Sequence, residues 1–198
     1  MKTETRLKPP ALLLIDVQTA FDQACWGPRN NPQAESVIAH MLALWRELHW
    51  PIVHVRHASL EANSSLGADQ PGYAYKPEAQ PRAGEVEFIK SVNSAFIGTE
   101  LHAYLQTQQL QTLVFAGIST DHCVSTTVRM AANLGYRNFL LEDACFSFDK
   151  TDRHGRLHTA QALHEAHLAS LDGEFCCVSD SQAFREKHLK TWLVSTLS

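Results

Sequence analysis

Three residues of unlike chemistry stand just past short apolar runs. Asp16 follows residues 11–15, Lys90 follows 86–89, and Cys123 ends the stretch Gly117-Ile118-Ser119-Thr120-Asp121-His122-Cys123 that leaves the run 113–116. A carboxylate, an ammonium and a thiol are the minimum set for an activated nucleophile: the acid takes the thiol proton, the cation steadies the charge, and the sulfur attacks a carbonyl. Each residue also has an ordinary explanation. An Asp after a strand is commonly a turn or cap residue, a Lys at a strand end reaches into water along its apolar stem, and a free Cys packs as a small hydrophobe. Cys123 differs by position. It is expected in the first turn of a helix with Thr120 or Asp121 as N-cap, where free N–H groups and the helix dipole favour the thiolate. Cys145, Cys176 and Cys177 read as packing residues, and Cys25 has no assigned role.

The elements that would bring these groups together are legible as an alternation. Apolar runs of strand length cover 11–15, 52–55, 86–89, 113–116, 139–141 and 175–178. Between them, residues 34–49 repeat Val37, Ile38, Met41, Leu42, Leu44, Trp45 and Leu48 at helical spacing, and 99–110, 121–135, 157–171 and 180–190 read similarly. The pattern predicts an α/β fold of three layers, α/β/α, around a central, mostly parallel six-stranded sheet; its strands lack polar alternation because both faces are covered. In such a sheet ligands bind beyond the carboxyl ends of the strands, so Asp16, Lys90 and Cys123 converge on one rim. Residues 56–85, rich in proline, glycine and small polar residues, read as one long loop serving as a lid, a binding loop or an interface. No repeat or linker divides the chain, which is expected to form a single domain over 1–198.

Composition narrows the partners. The 198 residues carry 17 Lys+Arg against 21 Asp+Glu, a net charge of −4, with no clustered basic stripe of the kind nucleic acids or anionic membranes require. Five cysteines without a C-x-x-C suggest neither a disulfide framework nor a zinc ribbon and fit a reducing compartment. The charged start leads into only five apolar residues before Asp16, too few for a signal sequence or membrane span, so the glycosylation pattern Asn63-Ser64-Ser65 carries no weight. The expectation is a cytoplasmic protein acting on a small molecule, without nucleic-acid or membrane partners.

Three longer motifs carry a family resemblance: Leu13-Leu14-Ile15-Asp16-Val17-Gln18, then residues 90–101 beginning Lys90-Ser91-Val92-Asn93-Ser94-Ala95-Phe96, then residues 116–127 around Thr120-Asp121-His122-Cys123. In this order the sequence resembles the isochorismatase-like cysteine hydrolases, which include nicotinamidases, carbamoyl-sarcosine amidases and isochorismatases. The similarity continues through Glu142-Asp143-Ala144 and Leu171-Asp172-Gly173-Glu174-Phe175 and covers essentially the whole chain. The resemblance implies a Rossmann-like fold, a catalytic triad of Asp16, Lys90 and Cys123, and a cis peptide between Ile118 and Ser119. That bond would aim the Ser119 N–H beside the Cys123 N–H as an oxyanion hole. It also implies a homo-oligomer, a dimer or larger, for which the apolar tail Trp192-Leu193-Val194 and the histidine-rich helix 157–171 offer candidate surfaces.

Departures from the subfamilies narrow the reaction. Nicotinamidases share an Asp-x-His and a later His that bind a metal after the second strand; here that place reads His54-Val55-Arg56-His57, and Asp152-Arg153-His154 lies elsewhere. Neither a catalytic metal nor any cofactor is expected; His54 and His57 shape the pocket or cap the strand, and His164 and His167 sit on the surface or in an interface. Candidate substrate contacts are the aromatics Phe21, Trp26 and Phe96 and the polar residues Gln18, Asn93 and His122. The leading expectation is a metal-independent cysteine hydrolase that cleaves a C–N bond of a small amide, imide or ureido compound through a thioester. Alternatives are a vinyl-ether hydrolase of the isochorismatase type, a non-catalytic binding protein on the same fold, and a redox role for Cys123.

Overall fold

The computed structural model describes residues 8–197; the charged start, residues 1–7, lies outside them. The strands are β1 (Ala11–Ile15), β2 (Ile52–His57), β3 (Val86–Lys90), β4 (Thr112–Ile118) and β5 (Arg137–Phe146). A small antiparallel pair, β6 (Lys150–Thr151) and β7 (Leu157–His158), precedes β8 (Cys177–Ser179). The helices are α1 (Ala34–Glu47), α2 (Leu101–Thr107), α3 (Ser125–Asn133), α4 (Ala160–Leu171), α5 (Ser181–Phe184) and α6 (Lys190–Leu197). Six strands form one parallel sheet in the order β3-β2-β1-β4-β5-β8. No helix among the described residues is long and apolar enough to cross a membrane.

The unbroken apolar runs have a direct cause in this topology. Successive side chains of β1 enter opposite cores: Leu12 and Leu14 pack with Met41 and Trp45 of α1 and with Phe184 and Trp192 beyond β8. Ala11, Leu13 and Ile15 pack with Leu101 and Leu105 of α2, Val128 of α3 and Leu168 of α4. Both faces are apolar, so a two-residue period has no polar half. The chain turns outward from β1 through β2 to β3 and then returns to β4, which makes the β1/β4 boundary the point where the connections diverge. There Gly117 of β4 has φ +141°, and a Cβ on it would stand 2.1 Å from the Ile15 carbonyl oxygen.

Several expected boundaries move. The helix predicted over 121–135 is a π-helical turn, Thr120–Val124, followed by α3, and the predicted 180–190 helix continues through a second π turn, Arg185–Leu189, into α6. Trp192, expected on an interface, is buried against Phe139 and Phe184; the Val194 side chain lies outside the described residues. His164 is also buried rather than on a surface, because its ring is taken up by Thr120 of the turn before α3. Cys145 and Cys176 pack as expected, but Cys177 is exposed.

The long loop is ordered rather than structureless. Its second half, with 3-10 turns at Pro71–Tyr73 and Pro77–Ala79, is stitched to the segment after β1: Thr19 N donates to the Ala74 carbonyl (2.9 Å) and Lys76 N to that of Val17 (2.9 Å). The buried Lys76 ammonium bonds Asp22 and Glu35 Oε1 (2.9 Å), and Arg29 holds the same Glu35. The loop is thereby fastened to α1.

Gly117→Ala should destabilise the fold by about 3 kcal/mol or more, or prevent folding, because the new Cβ collides with backbone that no rotamer can move; denaturant titration reads the change. Burial pushes the Glu35 carboxyl up, but hydrogen bonds from Arg29 and Lys76 outweigh it and bring the pKa from 4.5 to about 2. A folded pKa below the unfolded one gives stability that is complete above pH 4.5 and fades as pH falls towards 2. Glu35→Gln should flatten that part of an acid-unfolding curve followed by tryptophan fluorescence.

Candidate active site

Asp16 is the first residue beyond β1. Its N–H donates to the Val55 carbonyl (2.9 Å) and its φ is +52°, a left-handed conformation that Asp adopts more readily than most residues. Lys90 is the last residue of β3, paired in register with His57 of β2, and its side chain passes the end of β2 to reach β1. There Lys90 Nζ donates to Asp16 Oδ2 at 2.6 Å, with both side chains fully buried. The same ammonium lies 3.0 Å from His57 Nδ1 and 3.3 Å from Cys123 Sγ. The three residues expected to converge do so, and His57 joins them.

Cys123 reaches this point through the π-helical turn, in which Val124 N donates to the Ser119 carbonyl (3.2 Å) one residue further back than an α-helix would. The peptide bond between Ile118 and Ser119 is cis. Neither Thr120 nor Asp121 caps a helix, contrary to expectation. Thr120 Oγ1 bonds His164 Nδ1 (2.8 Å), while Asp121 accepts from Ser147 Oγ (2.9 Å) and from Lys150. Side chains of the turn are thus tied to α4 and to the segment after β5.

The electrostatics correct a second expectation. Burial pushes the Cys123 thiol above its ordinary range and the Asp16 charge adds to this, which outweighs the Lys90 ammonium. The resting sulfur is therefore a thiol, not the thiolate that a helix N-terminus would favour. Asp16 Oδ1 is buried with no hydrogen-bond partner, an open acceptor next to that proton. Burial and the Lys90 charge hold the His57 ring neutral, so Nδ1 accepts from the ammonium. Among the described residues, Asp16, His57 and Cys123 are the group whose donor atoms are close enough to share a metal ion. The Lys90 ammonium bonds all three of these residues, through Asp16 Oδ2, His57 Nδ1 and Cys123 Sγ.

A cavity of about 300 Å³ opens over the sulfur. Phe21, Trp26, Asn93 and His122 line it as expected, with Phe21 and Trp26 5.0 Å apart between ring centroids. Two expected contacts do not. Gln18 is buried as a brace, its amide donating to the His57 and Tyr73 carbonyls and its oxygen accepting from His57 N. Phe96 packs in the core against Tyr136, in the cluster that holds Leu101 and Leu105 of α2 and Val128 of α3. His54 belongs to the Glu85 and Arg46 cluster and not to the pocket. Sequence reasoning missed Phe148, 5.4 Å from Trp26, and Lys150, and it gave no individual residues in the loop, where Ser59, Glu61, Ser64 and Leu66 form a wall. Loop length was the available signal for that wall; Phe148 and Lys150 had none.

A family profile for the Isochorismatase domain matches residues 10–181. The chain is 39% identical over 181 residues to YrdC, an uncharacterized isochorismatase family protein of Bacillus subtilis (strain 168), covering 91% of this chain and 97% of that one. It is 34% identical over 208 residues to the ureidoacrylate amidohydrolase RutB of Methylobacterium radiotolerans, covering 87% and 77%. The crystal structure of an isochorismatase-family protein from Chromobacterium violaceum ATCC 12472 superposes with a TM-score of 0.86 at 50% identity, covering 92% and 95%. The chain belongs to the isochorismatase family. It is a hydrolase whose site is built on a cysteine, an aspartate and a histidine around a buried lysine.

The raised thiol has a direct readout. In mass-resolved iodoacetamide labelling across pH, Cys123 should reach half-reaction at a higher pH than a small free thiol such as N-acetylcysteine in the same mixture. Asp16→Asn should move the Cys123 midpoint down. A wild-type midpoint at or below that of the free thiol would contradict the assignment.

Proposed function

We propose that the protein hydrolyses the C–N bond of a small amide, imide or ureido compound, with Cys123 as nucleophile. The observation that carries the reading is the unpartnered Asp16 Oδ1 beside a protonated thiol whose sulfur also accepts from Lys90. As the sulfur attacks the carbonyl carbon, the thiol proton passes to Asp16, and Lys90 compensates the charge that moves onto and off the sulfur. The carbonyl oxygen, now an anion, takes hydrogen bonds from the backbone N–H groups of Ser119 and Cys123. Collapse expels the nitrogen, which leaves as an amine or ammonia carrying the proton from Asp16. A water then gives a proton to Asp16 and attacks the thioester; the acid is released and the thiol is re-formed.

The cavity supports this reading by its size and its walls. At about 300 Å³ it is at the small end of ligand pockets, with Phe21, Trp26 and Phe148 offering flat apolar contact and Asn93 and His122 polar contact. RutB, a relative, is an amidohydrolase of a ureido compound. The reaction as written needs no metal or cofactor. The same proposal has the protein as a single domain working in the cytoplasm as a homo-oligomer, supported by five free thiols and the family resemblance. Of the surfaces first suggested for assembly, Trp192 and His164 are buried, while Gln161, Glu165 and Ala166 of α4 are exposed.

Incubation with a panel of small amides should yield an acyl adduct on Cys123, detectable by mass spectrometry of the intact protein. Cys123→Ala should remain folded, form no adduct and lose about 10⁴-fold or more in turnover. Hydrolysis that survives this change would remove cysteine from the mechanism.

A further inference from the structure

The cavity contains one lysine, Lys150, that the reaction above does not use. Its side chain lies at the start of β6 and lines the cavity with His122, the neighbour of the nucleophile. Lys90 and Asp16 are buried beneath the floor, so Lys150 supplies the full positive charge that faces the cavity among the described residues.

Its position is held from behind. Nζ pairs with Asp121, whose side chain is only 4% exposed and also accepts from Ser147 Oγ at 2.9 Å, while the Lys150 side chain is 39% exposed. Nζ also lies 2.9 Å and 3.2 Å from the two ring nitrogens of His122. An ammonium has three donors; Asp121 takes one and the imidazole at most one more, so at least one N–H remains for a ligand in the cavity. A lysine fixed by a buried carboxylate has lost its side-chain freedom before a ligand arrives, which makes a further charge-assisted hydrogen bond more effective. The one carboxylate lining the cavity, Glu61, is exposed on the loop that forms the wall, and among the described residues no ion pair engages it. The cavity is therefore polarised, basic at β6 and acidic at the loop.

We propose that Lys150 selects amide substrates that carry a carboxylate, binding that group at the β6 end of the cavity while the amide lies over Cys123. The inference rests on the amide-hydrolase reading and adds the substrate's charge. Its chemical class is the monoamide or ureido derivative of a short carboxylic acid, with its apolar span against Phe21, Trp26 and Phe148.

Succinamate and butyramide differ by a carboxylate in place of a methyl group and test this directly. The wild-type protein should favour succinamate in kcat/KM. Lys150→Gln should reduce the succinamate-to-butyramide ratio by about ten- to a hundredfold, the worth of one hydrogen bond to a charged group, mainly through KM. Lys150→Arg should retain most of the preference. A ratio unchanged in Lys150→Gln, or equal losses for both substrates, would reduce Lys150 to a brace for the Asp121 turn and overturn the inference. Equal acylation of Cys123 by both substrates in the wild type would overturn it while leaving the hydrolase reading intact. Failure of either compound, and of the wider amide panel, to acylate Cys123 would remove both.

Discussion

The structure is organised around an ion pair in a place where charge is costly. Lys90 and Asp16 have no exposed side-chain surface, and removing two such ions from water costs several kcal/mol each unless geometry and extra hydrogen bonds offset it. Here the offset is a complete set of acceptors. The ammonium has three donors, and Asp16 Oδ2, His57 Nδ1 and Cys123 Sγ receive them at 2.6, 3.0 and 3.3 Å. Those acceptors come from the ends of β1 and β2 and from the turn after β4, so the pairing demands a single register across four adjacent strands. A shift of one residue in β3 would turn Lys90 to the opposite face of the sheet.

The same arrangement sets the resting chemistry. The lysine donates to the sulfur but does not ionise it, because burial and the nearby Asp16 charge dominate the thiol. What stays open is one lone-pair site, Asp16 Oδ1, on the group that must accept the proton. In the proposed reaction the thiol keeps its proton until a substrate supplies the electrophile, and the carboxyl that takes the proton returns it to the leaving nitrogen. The lysine also occupies the space between a histidine, an aspartate and a cysteine whose donor atoms lie within 4.8 Å of one another.

Recognition is delegated to segments that the ion pair does not constrain. The cavity walls come from the loop after β2, the 3-10 turns after β1 and the stretch between β5 and β6. These are held by their own contacts: Lys76 and Arg29 on Glu35, Gln18 between β1 and β2, and Asp121 on Lys150. Because they lie at the end of the sheet where the strands deliver Asp16 and Cys123, they can change the pocket without disturbing the floor.

The sequence alone determined the sheet, its parallel sense and the convergence of Asp16, Lys90 and Cys123, because each follows from local pattern: apolar runs with no polar alternation, helical spacing between them, and motifs at strand ends. Tertiary structure decided what depends on packing between distant segments. It turned Gln18 and Phe96 away from the pocket, brought Phe148 and Lys150 into it, buried Trp192 and His164, and recruited His57 to the ammonium. It also reversed the expected state of Cys123. A helix-turn position predicts a thiolate from local dipoles, but the thiol's proton is governed by how much water reaches it and by a carboxylate more than a hundred residues earlier in the chain, and neither is written in the turn itself.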